Sequence, residues 1–334
     1  MKRLRMGIVM VLLLITSFIS FIAVDLFYYA KQPVKVDSME KTVTILPGQG
    51  FGALSRQLTA EGLISHPSKF KLFAKIYRYD KKLKAGEYSL SGNMSPRTIL
   101  ETLASGNVKL RRLMIPEGYN LKQISNLIAK SGLESELEFL KAASDEAFLK
   151  QEGIIGKTVE GYLFPDTYFF PRGIGAKRII STMVQRFRSV YTDEHKHRTN
   201  DLGFSVHEIV ILASIIEKET GISLERPVIS SVFHNRLRTG MPLESDPTVI
   251  YGIENFDGDI TRKHLQTPTP YNTYTQKGFP LGPIANPGKA SIQAALFPAD
   301  TPYIYFVSRG DGTHQFSTCQ SDHQEAVKLY QLNH

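Results

Sequence analysis

The sequence predicts an α+β protein with three parts: an N-terminal transmembrane helix, a small β-α-α-β module and a larger mixed α/β domain. Three observations support this prediction. An uncharged apolar run follows a basic N-terminus, short strand-like segments alternate with amphipathic helices, and one nearly unbroken apolar helix lies in the second half of the chain. We expect boundaries at 1–30 for the N-terminus and anchor, 31–108 for a connector and the module, and 109–334 for the larger domain.

The first predicted element is the anchor helix. Residues Met6–Val24 carry no charge, and at about 1.5 Å per residue this run is just long enough to cross a hydrocarbon core. Basic residues precede the run and Asp25 follows it, which predicts a cytoplasmic N-terminus with the rest of the chain outside. A cleaved signal peptide is the alternative. No convincing small-x-small cleavage site follows the run, so we favour a retained single-pass anchor.

The composition excludes several classes of protein. The chain has 334 residues and a formal net charge of +8, which an anionic surface or a merely solvated face would explain. No basic stripe interleaved with aromatic residues and no nucleic-acid motif is present, so we expect no nucleic-acid partner. Cys319 is the single cysteine, which excludes an internal disulfide. The histidines are scattered and no G-x-S-x-G occurs, so we predict no metal, no cofactor and no serine hydrolase.

The module between the anchor and the larger domain has alternating strand and helix patterns. Strands are predicted at 43–45 and 87–90, and helices at 53–61, 68–77 and 96–104. The β-α-α-β order of its first part resembles a LysM-type glycan-binding module. The larger domain is predicted to contain helices at 138–148, 174–191, 205–220, 227–239 and 290–296, a hairpin formed by 303–307 and 314–317, and a C-terminal helix.

The helix at 205–220 is the centre of the larger domain. Ser205 and Glu208 form a capping box, and Ile209–Ile216 is almost entirely apolar, so this helix should be buried on most sides. Its end is acidic, with Glu217 and Glu219. Carboxyl groups at the end of a buried helix are either solvated residues of the last turn or functional groups.

Position favours Glu217 as the functional acid. It follows Ala213 and Ser214 at the i+4 and i+3 positions, and these small side chains would leave room for a ligand. Glu219 lies over Ile215 and Ile216, with less room. A carboxyl group at the edge of an apolar site has its charged form disfavoured, and such a group can act as a general acid near neutral pH.

Further segments are rich in residues that form binding loops. Glu160–Pro171 holds many aromatic residues and two prolines, which excludes a regular helix and indicates either a packed loop or the wall of a groove. Segments 243–252 and 267–288 are dense in Asn, Thr, Tyr, Pro and Gly, and are predicted to be ordered loops of the kind that carry sites on a rigid scaffold. Residues 193–200 are read as a polar stretch before the central helix.

Together these segments resemble the YceG-like endolytic murein transglycosylases (the MltG family). The segments that carry the resemblance occur in the family's order and are Glu160–Tyr168, Ala213–Glu219, Ser245–Gly252, Tyr271–Tyr274 and Gly278–Ile284. The resemblance implies a YceG-like catalytic domain at 109–334. It also implies cleavage of the MurNAc-GlcNAc β-1,4 bond within nascent glycan strands, with formation of 1,6-anhydro-MurNAc ends, which would terminate or trim glycan elongation.

The resemblance also implies roles for individual residues. Glu217 takes the place of the catalytic acid. Asn, Tyr and Thr donors would hold the N-acetyl group and position the ring, and the residues we choose for this shell are Asn235, Asp246, Tyr271, Asn272 and Tyr274. Glu219 and Glu160 are expected to be supporting acids. The expected partners are peptidoglycan strands, the bacterial inner (cytoplasmic) membrane with the catalytic domain on its periplasmic or extracytoplasmic side, and penicillin-binding proteins as neighbouring synthases.

One carboxyl group can suffice for such a reaction. A retaining glycosidase needs a second carboxylate about 5 Å away as nucleophile, and an inverting enzyme needs one as the base for water. If the C6 hydroxyl of the sugar attacks, Glu217 can protonate the leaving oxygen and then take the proton of that hydroxyl. Two alternatives stay open: a hydrolytic muramidase that pairs Glu217 with Asp246, Glu219 or Glu160, and a non-enzymatic wall-binding scaffold.

Overall fold

The computed structural model describes residues 2–35, 39–46, 48–254 and 256–332, with side chains from Met6 onward in those ranges. The chain divides into two compact units, one of residues 1–111 with 171–173 and the other of residues 112–170 with 174–334. Both contain helices and short strands, so the predicted α+β class is confirmed.

The first unit contains one long helix and a two-stranded sheet packed with shorter helices. Its elements are α1 (Lys2–Lys31), β1 (Lys41–Ile45), α2 (Phe51–Ala60), α3 (Pro67–Ile76), a 3-10 turn (Tyr79–Lys81), β2 (Gly86–Leu90) and α4 (Pro96–Ser105). Strands β1 and β2 are antiparallel, with Val43 opposite Tyr88. Both side chains are fully buried with Leu54, Leu58 and other apolar residues of α2 to α4. The predicted order of strands and helices in this module is confirmed.

Helix α1 changes character along its length. The segment Met6–Lys31 is long and apolar enough to cross a membrane, and its apolar side chains up to Val24 are exposed. Leu26, Tyr29 and Ala30 instead belong to the core of the first unit. The last turns of the helix are therefore part of a folded domain rather than a free stalk.

The second unit is mainly helical. Its first strand, β3 (Leu110–Met114), begins two residues before the first residue of the unit, residue 112. The elements that follow are α5 (Leu121–Ser131), α6 (Glu136–Ala143), α7 (Glu146–Gln151), β4 (Thr167–Pro171), α8 (Ala176–Val190), α9 (Asp193–Asp201), α10 (Val206–Glu219), α11 (Arg226–Thr239), α12 (Asp246–Tyr251), α13 (Arg262–Gln266), α14 (Lys289–Leu296), β5 (Tyr305–Ser308), β6 (His314–Ser317), α15 (Gln320–Val327) and a π-helical turn (Lys328–Leu332). Strands β3 and β4 pair, and β5 and β6 form the predicted antiparallel hairpin.

Several local predictions were wrong for identifiable reasons. The helix expected at 138–148 is two helices, α6 and α7, because Asp145 caps a new helix by accepting a hydrogen bond from the Phe148 N–H. The polar stretch after Thr192 is helix α9, which begins with a capping box between Thr192 and His195. It carries no apolar periodicity, so only its cap signals a helix. The loop predicted at 267–288 is confirmed as irregular, whereas the loop predicted at 243–252 is wrong for most of its length, because α12 (Asp246–Tyr251) forms there with Pro247 in its first turn.

Candidate active site

Helix α10 is buried as its sequence predicts. Ser205 accepts a hydrogen bond from the N–H of Glu208, whose carboxylate accepts one in return from the N–H of Ser205 at 2.7 Å. Every residue of Ile209–Ile216 is buried. The capping box fixes the start of the helix, and the apolar run places Glu217 where the helix leaves the core.

The space over the small residues of α10 is filled by the protein itself. Ala213 and Ser214 are fully buried, and the Ser214 hydroxyl accepts a hydrogen bond from the N–H of Ile284 at 3.1 Å. The loop that ends at Ile284 therefore occupies the room expected for a ligand. The small side chains let this loop approach the helix and bring the next residues of the chain to Glu217.

The carboxylate of Glu217 faces two donors. Its Oε2 accepts a hydrogen bond from the backbone N–H of Gly288 at 3.0 Å, and its Oε1 lies 3.6 Å from Nη2 of Arg226. The Glu217 side chain is only 6% exposed. Gly288 is the N-cap of α14, so the positive end of that helix also points at this carboxylate. The side chain is fixed rather than free in solvent.

Arg226 is the positive charge of the site. It lies in the first turn of α11, its side chain is 10% exposed, and its Nη1 donates to the hydroxyl of Ser223 at 3.2 Å. Its Nε has no hydrogen-bond partner among the residues that the structure describes. A buried guanidinium with an unused donor is costly, which indicates a group held for a purpose other than packing.

A second carboxyl group lies beside the first. A side chain on Gly288 would overlap the carboxylate of Glu117, and one on Gly118 would come within 3.5 Å of Cγ of Glu217. Burial raises the pKa of the Glu117 carboxyl, and the charge of Glu217 raises it further against the opposing effect of Arg226. The two acids therefore both lie next to Gly288 and interact electrostatically.

Glu117 also lines an open cavity. This cavity of about 620 Å³ includes Phe164, Pro165 and Asp166, which belong to the aromatic segment that the sequence analysis read as a packed loop or a groove wall. Lys289, the residue after Gly288, lines the same cavity. A ligand in this cavity would meet Glu117 and could reach the Gly288 loop.

Glu160 holds the loops of the site together. Its carboxylate accepts hydrogen bonds from the Leu121 N–H at 2.8 Å, the Tyr251 hydroxyl at 2.9 Å and the Asn286 amide at 2.7 Å. Asn286 exchanges backbone hydrogen bonds with the segment after Glu117: Gly118 N–H donates to its carbonyl, and its N–H donates to the carbonyl of Tyr119. Burial raises the pKa of Glu160 to about 7, although the hydrogen bonds donated to its carboxylate oppose this. The predicted supporting acid therefore ties together the loop with Glu117 and the loop with Gly288.

Glu219 belongs to a different cluster. Its carboxylate accepts a hydrogen bond from the Ser245 hydroxyl, and burial raises its pKa to about 7. The Tyr274 hydroxyl donates to Asp246 at 2.6 Å, and both residues line a cavity of about 350 Å³ with Glu219. Because residues two apart point in different directions on a helix, α10 presents Glu217 and Glu219 to separate environments.

The other residues chosen for the substrate shell have hydrogen bonds that lead away from Glu217. Asn235 donates to the carbonyls of Thr301 and Tyr303, both at 2.8 Å. Asn272 is fully buried, and its amide donates to backbone carbonyls at the end of α13 and just after it. Tyr271 packs edge-on against Tyr251, with ring centres 4.8 Å apart. Among the described residues, the structure thus joins Asp246 and Tyr274 to Glu219 and surrounds Glu217 with other groups.

The sequence does not predict a role in the site for Glu117, Arg226, Asn286 or Gly288. Glu117 has one local signal, its place in a Pro-Glu-Gly turn that leads into α5. Arg226 has none, since a basic residue in the first turn of a helix is an ordinary surface residue. Only the folded chain brings these residues to the end of α10.

The structure thus places two neighbouring carboxyl groups, Glu217 and Glu117, at the end of a buried helix. The chain belongs to the YceG-like family, whose model matches residues 43–329. A relative from Bacillus subtilis (strain 168), named endolytic murein transglycosylase, is 32% identical over 324 residues, which cover 91% of this chain and 89% of the relative. A relative of the same name from Streptococcus pneumoniae (strain ATCC BAA-255 / R6) is 29% identical over 86% of this chain, and the alignment spans 57% of that longer relative.

A solved structure supports the same family. The 2.6 Å crystal structure of a YceG-like protein from Listeria monocytogenes is 33% identical in sequence and matches with a TM-score of 0.59. The match covers 86% of this chain and 99% of that one. The predicted membership of the YceG-like family is therefore confirmed.

Proposed function

We propose that this protein is an endolytic lytic transglycosylase of peptidoglycan with Glu217 as its catalytic acid. The relatives named endolytic murein transglycosylase support the activity. The observation that supports the residue is the fixed Glu217 carboxyl at the end of α10, held by Gly288 and Arg226 beside a second acid that lines a cavity. The domain at 109–334 carries the reaction.

The reaction needs one carboxyl group to act twice. Protonated Glu217 gives its proton to the oxygen between MurNAc and GlcNAc, and the bond from this oxygen to C1 breaks. The C6 hydroxyl of MurNAc attacks C1 and passes its proton to Glu217, which closes the 1,6-anhydro ring and restores the acid. Since no water is added, no second carboxylate is required as nucleophile or base.

The proposed location follows from the first unit. Helix α1 crosses the inner membrane with its N-terminus in the cytoplasm, and the catalytic domain lies on the other side. We assign residues 1–30 to the cytoplasmic N-terminus and anchor. Residues 31–108 form a connector and a LysM-like module that binds glycan. A membrane-bound enzyme would act on nascent strands beside penicillin-binding proteins and would end or trim their elongation.

A hydrolytic muramidase is the second candidate, because the structure does place another carboxyl beside Glu217. That carboxyl is Glu117, not Asp246, Glu219 or Glu160, whose contacts lie elsewhere. A hydrolase would use Glu117 as the base for water or as the nucleophile.

Product analysis separates the two candidates. The full chain in detergent is incubated with uncrosslinked glycan strands and the products are examined by mass spectrometry. We expect internal cuts with 1,6-anhydro-MurNAc ends for the wild type, and a loss of at least about 100-fold in rate for Glu217→Gln. Glu138→Gln, on the exposed face of α6, is the matched control and should cut at the wild-type rate. Reducing MurNAc ends would establish hydrolysis. Unchanged cutting by Glu217→Gln would remove Glu217 from the mechanism.

A further inference from the structure

We propose that the outer face of helix α3 is a membrane-binding face, which inserts into an anionic lipid surface beside the anchor helix α1. This face consists of the apolar residues Leu72 and Ile76 and the exposed basic residues Lys71, Lys75 and Arg78. It lies entirely within the first unit and is separate from the acid site. The proposal rests on the proposed location only for the statement that α1 crosses the inner membrane.

Two contacts join α3 to the end of the anchor helix. The Tyr29 hydroxyl donates to the carbonyl of His66, the residue before α3, at 3.1 Å. Lys69, in the first turn of α3, forms an ion pair with Asp25 at 2.8 Å. As the chain proceeds along α3, its partner on α1 thus moves back from Tyr29 to Asp25. Since Asp25 directly follows the apolar run of α1, the later turns of α3 lead toward that run.

Leu72 and Ile76 lie on the side of α3 that contacts α1. They follow Lys69 by three and seven residues, and residues at this spacing share one face of a helix. At about 1.5 Å per residue, Ile76 lies about 10 Å beyond Lys69 along the axis of α3. Leu72 is nevertheless 43% exposed and Ile76 57% exposed. The apolar stripe that begins at the contact with α1 is therefore largely uncovered by the described part of the protein.

The neighbouring surface of α1 is apolar as well. Phe18, Phe21 and Ile22 precede Asp25 by one to two helical turns, and their side chains are exposed. With α1 across a bilayer, these side chains contact lipid. The stripe on α3 extends toward the same layer and meets the same lipid, which buries its apolar surface.

The charge beside the stripe selects an anionic surface. Lys71 and Lys75 lie four residues apart on the exposed side of α3, and Arg78 follows the end of the helix. Residues 67–84 contain seven Lys or Arg residues and a single acid, Asp80. Long basic side chains can lie along an apolar surface while their charged ends reach lipid phosphates. A soluble anionic polymer would match the charges but not the apolar stripe, whereas an anionic lipid surface matches both.

Tyr77 extends the face at the end of α3. It is 56% exposed, and its ring centre lies 4.6 Å from that of Phe73 and 6.4 Å from that of Tyr79. Tyrosine combines an apolar ring with a polar hydroxyl and is enriched where a membrane meets water. The ring contacts hold Tyr77 in place beside Ile76, at a position suited to this boundary.

Tryptophan fluorescence can measure the depth of this face. The sequence contains no tryptophan, so a single introduced tryptophan is the sole indole reporter. The full chain is reconstituted into vesicles of equal parts phosphatidylcholine and phosphatidylglycerol. Its fluorescence is then quenched by brominated acyl chains from within the lipid or by acrylamide from the water. For Ile76→Trp we expect quenching by lipids brominated near the headgroup and protection from acrylamide.

Two further variants calibrate the depth. Ile15→Trp lies in the middle of the apolar run and should be quenched by lipids brominated near the ends of their chains. Ser89→Trp reports a position beyond the other end of α1. Ser89 is exposed on β2, and Gly92 just after this strand accepts a hydrogen bond from the N–H of Lys35, which follows α1. Ser89→Trp should be quenched by acrylamide alone, and it controls for the affinity of tryptophan itself for lipid interfaces.

Glutamine substitutions test the charges. Lys71→Gln, Lys75→Gln and Arg78→Gln together should shift Ile76→Trp toward quenching by acrylamide, because each Lys or Arg near an anionic surface strengthens its attraction about fivefold. Vesicles of phosphatidylcholine alone should have the same effect. The matched control removes three exposed lysines of the second unit: Lys130→Gln, Lys150→Gln and Lys157→Gln. This control should leave the depth unchanged, and native hydrogen-exchange protection of the β1–β2 amides verifies that each variant is folded.

Each other outcome counts against the proposal. Quenching of Ile76→Trp by acrylamide alone, as in Ser89→Trp, would overturn it, and an unchanged depth in the charge variant would refute the role of anionic lipid. If soluble glycan strands, rather than vesicles, shield Ile76→Trp from acrylamide, the face binds glycan and the membrane assignment is wrong. Absence of lipid quenching in Ile15→Trp would refute the proposed location and this proposal with it. A lack of anhydro products would instead refute the proposed function and leave the quenching results unaffected.

Discussion

Glu160 shows at the scale of one residue how the site is held without contact with the reacting groups. Its carboxylate receives hydrogen bonds from Leu121, Tyr251 and Asn286, and the Glu160 side chain is itself buried. Asn286 in turn connects the segment after Glu117 with the loop that ends at Gly288. A substitution at Glu160 should therefore displace these two segments and so disturb the carboxyl groups of Glu117 and Glu217.

We predict that Glu160→Gln lowers both stability and activity. The NH₂ group of the glutamine side chain would face the N–H and O–H groups that now donate to the carboxylate. The donors left unpaired would lower the free energy of unfolding by about 1–3 kcal/mol. The loss of the loop connection should also lower kcat by displacing Gly288. Urea unfolding of the full chain in detergent and the glycan-cutting assay measure the two effects.

The control for this prediction is another buried acid of the same unit. Glu152 accepts hydrogen bonds from Ser181 and Arg188, away from the carboxyl pair. Glu152→Gln should lower stability by a comparable amount and leave kcat of the folded enzyme unchanged. Equal losses of kcat in both variants would show that Glu160 acts only through global stability.

The element that carries the site, α10, has two acidic environments within three residues. Glu217 meets Gly288 and Arg226, while Glu219 meets Ser245 and lies near Asp246. The cavity next to Glu219 is a polar pocket of its own. These environments predict different responses to pH and to substitution.

The pH dependence of stability should report on Glu219. Its pKa of about 7 in the folded protein lies above its ordinary value of 4.5, because burial disfavours the charge. The folded state then binds more protons than the unfolded state between these values. The stability linked to this proton is complete below about pH 4.5 and is lost as the pH rises through 7.

Glu219→Gln removes this titration. Relative to the wild type, we expect the variant to gain up to about 3 kcal/mol in the free energy of unfolding between pH 5 and pH 8. Glu160 contributes equally to the pH dependence of the free energy of unfolding in both proteins, so its contribution cancels in the difference between them. Unfolding curves at several pH values measure this difference, with Glu138→Gln as the exposed control. Parallel pH curves for wild type and Glu219→Gln would contradict the prediction.

A glycine in the aromatic segment sets the path of the chain against α10. Gly161 has φ +86°, and a side chain there would come within 2.6 Å of Val210 and Pro283. Gly161→Ala adds both backbone strain and overlap, so it should cost about 2–4 kcal/mol. Gly153 also has positive φ, but nothing lies within 4 Å of its missing side chain. Gly153→Ala should cost about 1 kcal/mol, and equal melting temperatures for the two variants would refute the packing argument.

The sequence predicts the helices and strands better than it predicts contacts between residues that are far apart in the chain. Helix α10 follows from its capping box and apolar run, and β1, β2 and the β5–β6 hairpin follow from their alternating patterns and turns. The break at Asp145 and the polar helix α9 depend on single caps, which weak periodicity does not reveal. The partners of Glu217 come from segments about ten and seventy residues later and a hundred earlier, and no local pattern encodes such distances.

On the scale of the whole molecule, the anchor and the first folded unit form one continuous structure. Helix α1 runs without a break from Lys2 to Lys31. Asp25 forms an ion pair with Lys69 at 2.8 Å, and the Tyr29 hydroxyl donates to the carbonyl of His66 at 3.1 Å. In the proposed location, with α1 across the membrane, this helix would hold the first unit at a fixed position at the membrane surface. The glycan-binding role proposed for the module would then operate close to the membrane.

Truncation at two nearby points tests this continuity. A chain that starts at Asp25 loses the exposed apolar segment but keeps Leu26, Tyr29 and Ala30, which are at most 7% exposed. A chain that starts at Gln32 loses these three side chains from the core, at a cost of about 3–5 kcal/mol. Hydrogen exchange of the β1–β2 amides measures the stability of the module in each chain. We expect native protection in the first and much faster exchange in the second. Equal protection would mean that the helix packs on the module without stabilising it, and the anchor would then be a tether rather than a part of the fold.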